Sequence, residues 1–422
     1  MSRERAPLSL NLPPAAQPAV DVVRRLRAAG HEALLAGGCV RDLLLGQVPE
    51  DYDVATSAPP DAVRRLFRPA RLVGAQFGVV LVRVQGVWVE VATFRSDGVY
   101  RDGRRPESVT YSDARHDALR RDFTINGMFL DPLAGDTLDY VEGRADLAAR
   151  RIRAIGEPRE RFREDHLRLI RAVRFAARLE FEIEPATLEA IRATAPSLAG
   201  VAAERVREEL EKMLTAPTRQ RALRLLETCG LTGHLWSGAA WPAAAWTQAD
   251  ALLGRLPPGA RFECAFAAMN LHRAAAEVDD VARRLAFSNE QRKHSAWLVA
   301  QQSALDNPAG PTLAELKRLM GHPAFESLRQ LAEARYASRA DGADLARRLA
   351  ERLSSIAPER IAPPPLVTGE DLAARGLSPG PIYKRVLDEL YTRQLEETLT
   401  TRREGLAALD ALLLDRKRPQ DD

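Results

Sequence analysis

Cysteine is scarce in this chain, with three in 422 residues. Cys39, Cys229 and Cys264 lie far apart and form no Cys-x-x-Cys pair. Neither a zinc cage nor a disulfide framework is indicated, and a reducing cytoplasm is the expected setting. Long apolar runs are missing as well. No uninterrupted stretch is long enough to span a bilayer, and the leading MSRERAPLSLNLPP carries charge and proline without an apolar segment, so a soluble, unexported protein is expected. An excess of one charge is also lacking. Lys and Arg number 61 against 58 Asp and Glu, a formal net charge of +3, so any surface for a polyanion must be a local basic patch. Nearly all the basic residues are arginine and alanine is abundant, a bias that nominates no ligand. The length suits about two to four domains.

What is present divides in two. After a proline-rich leader ending near Pro18, VDVVRRLRAAG has helical spacing in Val20, Val23 and Leu26, with Gly30 as a stop. A strand ending at Gly37-Gly38 is expected next. FGVVLVRV and VWVEVATF, between residues 77 and 94, read as a hairpin about Gln85-Gly86, with Glu90 on the side opposite Val89 and Val91. From about residue 145 long runs of Ala, Leu, Arg and Glu with helical period take over. Breaks near 215–218, at Pro257-Pro258-Gly259, at Asn307-Pro308 and in IAPPPLVTG divide these helices into packets. No short repeat of fixed period is found, and the final RKRPQDD reads as a frayed tail.

The most informative stretch is AGGCVRDLLLGQVPEDYDVAT, residues 36 to 56. In an extended strand Asp51 and Asp53 share a face and can point at the same divalent ions. Paired carboxylates suit Mg²⁺, which keeps water and substrate phosphate oxygens in its coordination sphere. Gly37 and Gly38 let the backbone approach a triphosphate, to which amides opening the next helix can donate. With Arg41 and Asp42 between glycines and aspartates, the arrangement resembles the first motif of the nucleotidyltransferases related to DNA polymerase β.

Three further segments extend the likeness. RRDFTINGMFLDP at 120–132, REDHLRLIRAVRFAARLEF at 163–181 and AERVREELEKML at 203–214 follow in order. Together they resemble the class II tRNA nucleotidyltransferases, which also include bacterial poly(A) polymerases, over residues 34–214. The resemblance implies an α+β fold. A polymerase β-like nucleotidyltransferase head with a mixed sheet is expected over 18–145, a helical neck with a base-recognition helix over 146–216, and a helical, tRNA-binding body and tail over 217–422. It implies that Asp51 and Asp53 bind two Mg²⁺ ions that activate the RNA 3′ hydroxyl and steady the leaving pyrophosphate, a logic that in-line phosphoryl transfer requires independently. Glu90 is the candidate third carboxylate; an exposed strand glutamate is its other reading. Arg41 is placed against phosphate. Asp42 either shares that role or caps a helix start with Arg41. By resemblance Arg120, Arg121 and Asp122 face the nucleotide and Asn126 supports them, while Phe123 and Ile125 read as core. Gly127 stands where relatives often carry alanine, a departure that touches packing.

Base choice is placed on Asp165 and Arg168, three apart, with Arg171 at the same interval. Leu167, Ile170 and Val173 give the helix an apolar back. A carboxylate accepting from an exocyclic amino group beside a donating guanidinium selects cytosine and adenine, hence CTP and ATP, without a template. The plainer reading is a solvated intrahelical ion pair. Arg205 and Glu209, four apart, either buttress this helix or pair on the surface.

Three substrates compete: complete CCA addition to the tRNA 3′ end, addition of A alone as part of CCA, and untemplated poly(A) synthesis. The FG of VGAQFGVVLVRV resembles CCA-adding members more than the basic, His-containing form of bacterial poly(A) polymerases, and the long SDGVYRDGRRPESVTYSDARHDAL resembles the loop of full CCA-adding enzymes. An RNA-binding protein on a decayed head is disfavoured by the intact acidic and basic residues, and a small-molecule nucleotidyltransferase leaves the helical half unexplained. His272 with Asp279 and Asp280 lacks the spacing of a metal phosphohydrolase. Trp236, Trp241, Trp246 and Trp297 read as core or interface residues, base stacking being the alternative.

Overall fold

The computed structural model describes residues 4–7, 12–73, 78–98, 108–236, 241–378 and 380–415. Phe77 of the FG pair, the middle of the long loop at 99–107 and the RKRPQDD tail lie outside the described residues. The chain divides into two compact units, Met1–Trp241 and Pro242–Asp422.

The first unit opens on strand β1 (Glu4–Pro7) and helix α1 (Gln17–Ala28), which buries Val20, Val23 and Leu26 together with Val22. Gly30, at φ +84°, follows it. Strand β2 (Ala33–Ala36) runs into the short helix α2 (Gly38–Leu44), and β3 (Asp53–Thr56) into α3 (Pro60–Leu66). Then come β4 (Ala70–Val73), β5 (Val79–Val84) and β6 (Val87–Thr93). The turn between the last two holds Gln85 and Gly86 at φ 51° and 83°, the pair of positive values that suits the twist of a two-residue hairpin. A small hairpin of β7 (Arg95–Asp97) and β8 (Val109–Tyr111) leads to α4 (Ala114–Leu119), then β9 (Phe129–Asp131), β10 (Asp136–Asp139) and α5 (Gly143–Ala148).

Eight strands form one mixed sheet in the order β1-β10-β9-β2-β3-β6-β5-β4. Its parallel neighbours are β3 and β6, with Val54 opposite Val91. Alternation along β5 and β6 sends Val80, Val82, Val89 and Val91 inward, where α1 and α3 pack. The other face carries Leu81, Arg83, Trp88 and Glu90. Phe129 anchors a cluster with Phe94, Leu138 and Ile155.

The unit continues with β11 (Arg151–Ile152), α6 (Pro158–Glu164), α7 (Leu167–Leu179), β12 (Glu182–Ile183), α8 (Pro185–Thr194), α9 (Ala203–Leu214) and α10 (Arg219–Thr228). Leu167, Ile170 and Val173 of α7 are buried, as their spacing predicts, and α7 rests on α9 and α10. Phe175 meets Phe123 edge-on at 5.8 Å, which fixes α7 against the RRDFTIN segment. Adding a Cβ to Gly127 would bring it to 2.7 Å from Val141, so alanine does not fit there without movement.

Among its described residues the second unit is helical, from Ala243–Arg255 to Arg402–Asp415. Pro257-Pro258-Gly259 separates the first helix from Phe262–Asn270, which is buried along its whole length. Near the end Leu372, Val386, Leu390 and Leu409 share a core. Trp297 stacks on His322 at 3.7 Å. Asp279 and Asp280 are taken up by arginines, chiefly Arg283 and Arg292, and His272 stands exposed. Trp236 of the first unit is fully buried. Among the described residues no helix is long and apolar enough to cross a membrane.

Candidate active site

Because β3 and β6 run parallel with Val54 level with Val91, Asp53 and Glu90, each one residue earlier, stand level on the other face of the sheet. Burial pushes the Asp53 carboxyl up to about 6, and the charges of Glu90 and Asp51 push the same way against Arg121. Glu90 is raised too, by burial and then by Asp51. Asp51 departs from the expected strand geometry. The strand begins only at Asp53, so Asp51 sits exposed in the preceding loop while Tyr52 between them is buried. It reaches the other two carboxylates by charge. Among the described residues no cationic side chain bonds to any of the three, and no group of three or more His, Cys, Asp or Glu is placed to hold a metal ion by itself.

Beside the acids lies the glycine turn. Gly37 has φ +75°, and a Cβ there would come 2.8 Å from the Arg121 guanidinium, so only glycine serves. Arg41 is 2 % exposed; it bonds Asp42 and donates to Asn126 Oδ1 at 2.6 Å. Asp42 is buried under Arg41, with Arg178 at 3.5 Å, and does not face the hollow. Its role is to hold Arg41. Asn126 in turn donates to Asp122, and Asp122 accepts from Arg171 at 2.6 and 3.0 Å. Burial alone would raise the Asp122 carboxyl, but Arg171, by charge and hydrogen bonds, with Asn126 and Arg168, holds it down at about 2.

The two residues expected to read the base, Asp165 and Arg168, are arranged differently from the helical comb expected. Asp165 is extended, at φ −144°, between α6 and α7, and its carboxylate accepts from Leu167 N at 3.1 Å. It therefore precedes the helix that Arg168 belongs to. Asp165 takes both terminal nitrogens of Arg205, at 3.1 and 2.8 Å, and Arg168 bonds Glu164 at 2.6 Å, so the two do not pair with each other. Arg205 and Glu209 likewise avoid each other. Glu209, 3 % exposed, bonds Arg174, so both residues of α9 buttress α7.

Several participants escaped the sequence reading. Asp117, 1 % exposed, accepts from both Arg120 and Arg121. Its signal is the i, i+3, i+4 spacing of DALRR. Arg174 continues the three-residue interval of Arg168 and Arg171, and Glu164 sits four before Arg168. Arg178 was hidden by its distance from Asp42 in the chain.

These side chains enclose one hollow of about 580 Å³. Gly37, Gly38, Arg41, Asp53, Glu90, Arg120, Arg121, Asp122, Asn126, Asp165, Arg168 and Arg171 all line it, joined by Arg95, Arg174, Arg178 and Arg205. Nine guanidiniums and four carboxylates line it, and Asp42, Asp117, Glu164 and Glu209 behind the lining pair with several of these arginines, so the hollow is dense in paired charge. The nearly balanced charge of the whole chain conceals this.

Residues 33–153 match the model of the poly A polymerase head domain, and residues 180–240 that of the probable RNA and SrmB-binding site of polymerase A. Over these residues the chain resembles the poly A polymerase family. Among similar proteins, the CCA-adding enzyme of Geobacillus thermodenitrificans is 45% identical over 223 residues, 53% of this chain and 55% of that protein. The CCA-adding enzyme of Levilactobacillus brevis is 41% identical over 255 residues, 56% of this chain and 64% of its own length. The chain thus spans between half and two thirds of the curated relatives it matches. The crystal structure of the Bacillus stearothermophilus CCA-adding enzyme in complex with CTP superposes with a TM-score of 0.79 at 29% identity, covering 96% of this chain and 99% of that one. The Thermotoga maritima CCA-adding enzyme complexed with tRNA shares the fold, with a TM-score of 0.68 at 20% identity over 98% of this chain and 100% of that one.

Proposed function

We propose that this chain adds C and A nucleotides to the 3′ end of tRNA, from CTP and ATP, without a template. One observation carries the reading: a single hollow joins the Asp53 and Glu90 carboxylates, the Gly37-Gly38 turn and the Asp165–Arg168 segment. In the proposed division, residues 18–145 are the catalytic head, 146–216 the neck and 217–422 the tRNA-binding body and tail.

The carboxylates fit divalent cations. Asp53 and Glu90 stand level in the hollow, Asp51 couples to both by charge, no cationic side chain among the described residues bonds to any of them, and their mutual repulsion favours a bound positive charge. Mg²⁺ takes few protein ligands and fills its remaining positions with water and phosphate oxygens. Asp51, Asp53 and Glu90 would hold such ions, which would supply a lowered pKa at the attacking 3′ hydroxyl and compensation of charge on the leaving oxygen. The chain's own residues position the reactants. Arg41 and Arg121, held by Asp42, Asn126 and Asp117, present fixed guanidiniums to the triphosphate beside Gly37. The 3′ oxygen bonds the α-phosphorus in line as the bond to pyrophosphate breaks. Asp165 keeps about one acceptor lone pair, on Oδ2, beyond those used by Arg205 and Leu167 N, and Arg168 keeps donors beyond those used by Glu164 and two backbone carbonyls. These spare groups match the amino group and ring acceptors of cytosine and adenine.

Transcripts of tRNA ending before CCA, after C or after CC, given CTP and ATP separately and together, test the reading by product length. Completion of CCA on all three is expected. Extension of the CC-ending transcript alone would make the enzyme A-adding, and unlimited A tails on unrelated RNA would make it a poly(A) polymerase.

A further inference from the structure

One face of the sheet leaves the carboxylates in an orderly way. Arg71 on β4 is opposite Leu81 on β5, Leu81 is opposite Glu90 on β6, and Asp53 on β3 stands level with Glu90. Partners in a ladder point to the same side, so these four form a row. Two residues before Glu90, about 7 Å down the strand, Trp88 is opposite Arg83 on that same side. Trp88 is 37% exposed. The Arg71 guanidinium lies 4.7 Å from its ring centroid and that of Arg83 6.0 Å. Among the described residues neither guanidinium meets a carboxylate; Arg83 donates only to Gly86 O. A solvent-facing indole between two uncompensated cations therefore borders the acids.

Its position relative to the reaction selects the occupant. The glycine turn, Arg41 and Arg121 lie on the β2 side of Asp53, while β6, β5 and β4 follow on the other. In-line displacement brings the entering oxygen from the side away from the leaving pyrophosphate. The nucleic-acid end must then approach over β6 and β5. We propose that this open face seats the single-stranded RNA 3′ end, with a nucleobase stacked on Trp88 and backbone phosphates met by Arg71 and Arg83. Every base has a π-face, so such a stack holds the end while its identity changes from one addition to the next. The proposal rests on the nucleotidyl-transfer reading of the site.

The test uses a tRNA transcript ending before CCA, with full-length Trp88→Ala, Trp88→Phe and the double variant Arg71→Gln/Arg83→Gln. Transfer from CTP and nucleotide-free filter retention of the transcript are both measured. Trp88→Ala should raise the KM for transcript about tenfold and weaken retention alike, leaving the KM for CTP and the rate at saturating transcript unchanged. Trp88→Phe should restore most of the loss. The arginine pair should weaken retention and flatten its dependence on salt. An unchanged transcript KM in folded Trp88→Ala, or a change confined to CTP, overturns the platform while transfer itself stands. Weakened retention in a protein that transfers nothing upholds the platform and removes the reaction.

Discussion

In the proposed reaction Asp53 is the side chain on which the chemistry turns. It is the strand residue nearest to both the glycine turn and Glu90, and its proton affinity is raised because burial and two neighbouring carboxylates oppose its charge. Asp53→Ala relieves that repulsion, so the protein should fold at least as stably while nucleotide transfer falls on the order of a thousandfold. Thermal melting beside a transfer assay checks both halves, and full activity would end the assignment. Asp165 makes a different prediction. Its alanine variant frees Arg205 and removes an acceptor from the hollow. Competition of UTP and GTP against CTP should then show relaxed selectivity; unchanged selectivity would return Asp165 to a structural ion pair. The residue types for this site were legible in the sequence, but their partners were not. Arg205 is 40 positions from Asp165, and Arg171 is 49 from Asp122. Only the folded chain brings such pairs together.

Among elements, α7 is tied to the RRDFTIN segment through the buried Asp122–Arg171 pair. The Asp122 carboxyl falls from 3.8 to about 2, so its contribution, about 2 kcal/mol, is present in full above the unfolded pKa near 4 and is lost as pH drops toward 2. Denaturant titrations between pH 5 and 2 should show that loss. Asp122→Asn should flatten this part of the profile; an unaltered slope would deny the linkage. Helix α7 and the β5–β6 hairpin could be read from the sequence because apolar period and turn chemistry are local. Strands β9 and β10 were not, since such short segments are defined by pairing across the sheet. The placement of Asp165 on a helix failed for a related reason. Spacing alone cannot distinguish a first-turn residue from an extended one preceding it, although an aspartate just ahead of an apolar helical run is also a capping signal.

For the molecule as a whole, the cysteines provide a direct gauge of integrity. All three are buried and none is in a disulfide. Burial pushes Cys39 up to about 11 and Cys229 to about 12, so thiolate is scarce near neutrality. A chromogenic disulfide reagent at pH 8 should find essentially no reactive thiol in the native protein and three after denaturation; rapid native labelling would mean that these cores open readily. The polarity of the two halves was visible in composition, because strand and turn residues give way to helical periodicity near residue 145. The gathering of nine arginines around the hollow was not, because a balanced total averages it away.

Strand β4 ends the sheet's order, and Leu72 and Val73 on it are 41% and 48% exposed. A terminal strand with apolar side chains offers its backbone to any passing segment, and a cation set within it is the usual deterrent. Arg71 occupies that position. Arg71→Val should therefore produce concentration-dependent self-association, visible by light scattering, even where RNA is absent. In the proposed complex the guanidinium that discourages edge-to-edge pairing would be the one an anionic strand engages.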